Sequence, residues 1–110
     1  MYTNPQPTIQ EMNRTIAEFD GWIYTESGKS AKKGKNGNSY PSNAIRYHDK
    51  WFWLKPVIDK IFTYALAYPE QVKPIIEMRI VVHIKAAHEK VYEFAKWYLE
   101  NEKPTKKAGL

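Results

Sequence analysis

Acid–base chemistry in this chain would rest on His48, His83 and His88, because there is no cysteine to supply a thiolate or a soft metal ligand. Two histidines and a lysine can in principle cut RNA without a metal. His83 and His88 bracket the run HIKAAHEK, whose five-residue spacing splits them across helix faces and does not make the HExxH of a zinc protease. His48 precedes Asp49 at an expected helix start, where the helix dipole disfavours imidazolium and a structural bond across the cap is the plainer role. Ser27, Ser30, Ser39 and Ser42 stand in or beside a Gly/Lys-rich stretch, without the strained strand-to-helix turn that activates a serine nucleophile. Gly28, Gly34 and Gly37 with Lys33 lack the GxxxxGK[ST] spacing of a phosphate loop, and no helix is expected directly after them. These residues predict no catalytic site, no metal and no cofactor.

Binding chemistry is better supplied. Trp51-Phe52-Trp53 places three rings in succession, and on a helix they point about 100° apart, so one face cannot hide all three. Trp51 fits a core stripe, which leaves Phe52 or Trp53 to cover a neighbouring element or to face a partner. Trp and Tyr dominate binding hot spots, and Tyr40 joins Phe52 and Trp53 as a candidate contact residue. The segment ESGKSAKKGKNGNSYPSN carries Lys29, Lys32, Lys33 and Lys35 against the single Glu26, in a chain of net charge +5. A lysine run is ordinarily a solvated face; its functional reading is attachment to nucleic-acid phosphate or to an acidic protein surface. Only Arg14, Arg46 and Arg79 are available for bidentate base contacts, which argues against sequence-specific DNA reading.

The elements that must position these residues belong to one small domain, since 110 residues give room for one core. With 43% hydrophobic and 26% charged residues the chain is neither disordered nor fibrous, and no stretch approaches a membrane span. MYTNPQPTIQ lacks the apolar run of a signal peptide, so a cytoplasmic protein is expected. Residues 1–7 read as a loose arm, 8–102 as the domain, and 103–110 as a fraying basic tail. Thr8 and Glu11 form a capping box, Ile9, Met12, Ile16 and Phe19 recur at helical spacing, and Gly21 is the stop. Trp22 to Thr25 reads as a strand, 26–43 as a mobile basic loop with Asn36-Gly37 as its turn, and Ala44 to His48 as the returning strand.

A second helix is expected from an Asp49 cap, with Trp51, Leu54, Ile58, Ile61, Phe62 and Ala65 inward. Pro56 should kink it or set residues 50–55 apart as a first turn, and Tyr68-Pro69 should end it. Alternating Ile76, Met78, Ile80, Val82 and Ile84 predict a strand over 75–82, though Val72, Ile76, Ile80, Ile84, Ala87 and Val91 also fit one long helix over 71–101. Ala87, Val91, Phe94, Ala95 and Tyr98 mark the buried side of a final helix either way. The expected fold is α+β: a small three-layer α-β-α sandwich, in the order α-β-β-α-β-α.

Three segments together, NRTIAEFDGW, YHDKWFWLKPVIDKI and the stretch from Ile84 ending VYEFAKWY, resemble the small phage α-β-α sandwich domain proteins of bacteriophages and prophages, especially of Bacteroidetes. Asp49-Lys50 stands where that pattern has a Ser pair, and Phe52 where it has an acidic residue. The resemblance implies the sandwich fold and a phage setting, with no catalytic residue to carry over. The expectation is a non-enzymatic accessory protein acting in the host cytoplasm on a host or phage protein, and on no membrane. The alternatives are a nucleic-acid-binding module using the lysines, with Tyr40 or Trp53 for stacking, and a small His-based hydrolase or nuclease.

Overall fold

The computed structural model describes residues 7–33, 37–77 and 83–101. The expected arm, apart from Pro7, the expected tail, Lys35, Asn36 and residues 78–82 lie outside the described residues. The first helix, α1 (Ile9–Phe19), begins with the anticipated capping box: the Thr8 hydroxyl accepts from the Glu11 amide at 3.1 Å, and the Glu11 carboxylate accepts from the Thr8 amide at 2.9 Å. It ends at Asp20, and Gly21 takes φ +98°, a left-handed turn that a side chain would strain.

A three-stranded antiparallel sheet follows, in the order β1 (Trp22–Tyr24), β2 (Ser30–Lys33), β3 (Ser39–Pro41). The segment 26–43 is therefore not a free loop. Gly28, at φ +75°, makes the first turn, whose ends are tied by Thr25 N–H to the Ser30 carbonyl at 3.0 Å. At Gly37 a Cβ would run into the Lys33 carbonyl, so the second turn demands glycine. Pairing of Trp22 with Lys33, of Tyr24 with Ala31, and of Ala31 with Tyr40 puts these five on one face; Ile23, Lys32 and Ser39 share the other. The first face meets the helices, with Ala31 fully buried, whereas Ile23 is 59% exposed. Helices thus cover one face of the sheet, giving two layers among the described residues where three were expected.

The expected returning strand at Ala44–His48 is instead the end of a 3₁₀ turn (Ser42–Ala44) and an irregular passage that buries Ile45 and Tyr47. Next comes α2 (Trp51–Phe62). Its cap is Lys50 rather than Asp49, because Arg46 claims the Asp49 carboxylate and holds its pKa below the usual range. Pro56 sits inside one continuous helix, and the carbonyl it leaves without a partner belongs to the exposed Phe52. Leu54, Val57 and Ile61 face the core; Trp51, expected there, is 43% exposed.

Residues 75–77, expected to start a strand, close a third helix, α3 (Pro69–Glu77), with Pro69 at its first position and Val72 and Ile75 buried three apart. A last helix, α4 (Ile84–Asn101), buries Ala87, His88, Val91, Phe94 and Ala95. The long 71–101 helix is thus replaced by two separate ones. The class is α+β as expected, with four helices among the described residues and the third strand at Ser39–Pro41. Phe19 joins the helices, its ring edge-on to Phe94 at 5.6 Å and to Tyr98 at 5.3 Å.

Candidate functional site

Two constellations bring the sequence candidates together. The first is a ring cleft where the sheet meets α2. Trp22 arrives on β1 facing the helices, Tyr40 on β3 facing the same way, and Trp53 from the first turn of α2. Tyr40 stands nearly perpendicular to both indoles, with centroids 5.6 Å from Trp22 and 6.4 Å from Trp53. Trp22 and Trp53 lie 5.8 Å apart, and buried Tyr47 props Trp53 edge-on at 5.5 Å. Trp22, Tyr40 and Trp53, together with Lys33, Phe52 and Pro56, line an open hollow of about 280 Å³. Phe52 stands on its rim, 88% exposed and in no ring contact among the described residues.

Asp20 closes the other end of the cleft. It accepts from Lys33 Nζ at 3.1 Å and from the Tyr47 hydroxyl at 3.2 Å, while Lys60 Nζ lies 4.0 Å away. Burial, reinforced by the neighbouring carboxylate, raises the Tyr47 phenol far above its ordinary value, so it remains a donor. Lys60 donates to the Phe19 carbonyl at 3.0 Å, anchoring α2 to the end of α1. The structure therefore brings Tyr40, Phe52, Trp53 and Lys33 together. It does not bring Lys32, on the far face of the sheet, or Lys29, in the β1–β2 turn, to the same place. Sequence reasoning missed Trp22, Tyr47 and Asp20; the one available signal was Trp22 and Tyr24 sharing a strand face.

The second constellation joins histidines that the sequence keeps far apart. Asn13 of α1 is 5% exposed and sits between His48 and His88. Its amide nitrogen must face the Ile45 carbonyl, 3.1 Å away, because a carbonyl can only accept. His48 Nδ1, 2.9 Å from the same nitrogen, is then an acceptor, and His48 carries its proton on Nε2. His88 Nε2, 2.8 Å from the Asn13 oxygen, is a donor. Burial, followed by the field of His48, pulls the His88 pKa down to about 4, so it is neutral at pH 7. His88, 1% exposed, braces α4 against α1 through Asn13, whereas the His48 side chain is 28% exposed. His83 is exposed ahead of α4 and outside this network. Among the described residues no cluster of three His, Asp or Glu side chains could hold a metal ion, and no helix is long and apolar enough to cross a membrane.

No family model, curated protein or solved structure matches the chain. The arrangement of its side chains therefore carries the functional argument.

Proposed function

We propose that this chain is a non-catalytic binding protein that docks a partner protein through the cleft of Tyr40 and Trp53, with Phe52 as the inserted anchor. The observation that carries this reading is Phe52: a phenylalanine 88% exposed beside a preformed hollow of rings is apolar area waiting to be covered. Trp22, Tyr47 and Trp53 hold the cleft rigid, which lowers the ordering cost of binding. The resemblance to the small phage sandwich proteins supports an accessory role in the host cytoplasm, on a host or phage protein. A nucleic-acid track is less well supported, because Lys33 is paired with Asp20 and Lys32 faces away from the rings. Lys29, Lys32, Lys33 and Lys35 remain its reference set.

The test is co-purification from a bacterial host lysate with wild type and Phe52→Ala, each with and without nuclease and eluted by salt. A discrete protein retained through nuclease and salt, and lost at least about tenfold with Phe52→Ala, is the expected result. Retention that disappears with nuclease, and whose salt slope falls when the four lysines become alanine, would replace this reading with the nucleic-acid one.

A further inference from the structure

A second hollow, of about 770 Å³, lies between the N-terminal half of α1 and the outer side of α4. Its base is apolar: Ile9, 46% exposed, with Met12 from α1, and the half-buried Tyr92 and Trp97 from α4. Its border carries three carboxylates against one ammonium, that of Lys96, and so is net acidic. Glu89, Glu93 and Glu100 are all exposed and line it from one helix at i, i+4 and i+11, a reach of about 17 Å at 1.5 Å per residue.

Lys96 has the i,i+3 and i,i+4 spacing to pair with Glu93 and Glu100, yet none of the three carboxylates joins an ion pair among the described residues. Glu89 and Glu93, one turn apart, repel each other. In a chain of net charge +5, unpaired negative charge is gathered beside open apolar surface.

We propose that this groove docks a basic amphipathic helix presented by a partner protein. Its apolar side would rest on Ile9, Met12, Tyr92 and Trp97, and its Lys or Arg side chains would meet the three glutamates. Charge complementarity selects this occupant: the carboxylates repel phosphate and acidic segments, steer a cationic one, and are relieved of their mutual repulsion when it arrives. The groove lies at the opposite end of α1 from the ring cleft, so the inference does not rest on the function proposed above.

The experiment is fluorescence anisotropy of a labelled amphipathic helical peptide of leucine and lysine, and of its counterpart with glutamate for lysine, titrated with the full chain. The lysine peptide should bind at least about tenfold more tightly than the glutamate one. The Glu89→Gln/Glu93→Gln/Glu100→Gln variant, whose surface changes leave the core intact, should lose about tenfold. Ile9→Asp should weaken binding as well, and Phe52→Ala should leave it unchanged, separating this groove from the ring cleft. Equal affinity for the two peptides, or a triple variant that binds like wild type, overturns the proposal. So does sedimentation showing the chain alone forming a dimer that the triple variant loses, because the occupant would then be a second copy.

Discussion

Asn13 is the residue whose environment most constrains its neighbours. Both of its amide hydrogens and its oxygen are engaged, so it fixes which ring nitrogen of each histidine holds a proton. The depressed pKa of His88 has a definite sign in stability. The native state keeps His88 neutral down to about pH 4, while the unfolded chain takes up the proton near pH 6.5, so acid favours the unfolded state. This contribution is fully present above pH 6.5 and is lost as pH falls towards 4; by pH 5 the loss is about 2 kcal/mol. Urea unfolding at pH 7 and pH 5 should show that drop in wild type and a smaller one in His88→Gln. Equal drops would mean that His88 does not titrate differently in the two states. No local signal foretold the cluster, because 75 residues separate Asn13 from His88 and only the pairing of α1 with α4 joins them.

Among the elements, α1 and α4 were legible because their cues are local: a capping box within four residues, and an apolar stripe at helical spacing. The sheet was not. Strands of three and four residues carry one or two inward side chains each, Ala31 in β2 and Tyr40 in β3, and so little alternation is indistinguishable from a lysine-rich loop. In α3 the β-branched residues favoured a strand, but Val72 and Ile75 are buried together by packing against the neighbouring helices. The expected stripe of α2 holds at Leu54, Ile58, Ile61 and Phe62 and fails at Trp51: Trp53 is captured by Trp22 and Tyr40, which turns Val57 inward and Trp51 outward. Of the candidate site, Tyr40, Phe52 and Trp53 were named from residue type alone; their shared cleft depends on the sheet that the sequence concealed. Leu54, fully buried at the end of the first turn of α2, is the sensitive point. Leu54→Ala should cost about 2–5 kcal/mol in chemical denaturation, whereas Trp51→Ala, at an exposed site, should cost under about 1 kcal/mol.

At the scale of the whole molecule, the two ends of α1 open onto surfaces of different character: a rigid ring cleft near Asp20, and an acidic apolar groove near Ile9. Two hollows of different lining thus share one core. One of the two outer strands of its sheet, β3, has a further consequence. The Ser42 amide donates inward to the Lys29 carbonyl at 2.8 Å, so by alternation the backbone nitrogen of Pro41 points away from the sheet, where proline has no hydrogen to give. An incoming strand finds a gap in its ladder there, on an edge only three residues long. Pro41→Val, restoring the missing donor, should therefore shorten the lag before thioflavin fluorescence rises in a concentrated, stirred sample, relative to wild type. One ring of proline thus acts as a stopper, withholding from this edge the donor that a docking strand would need.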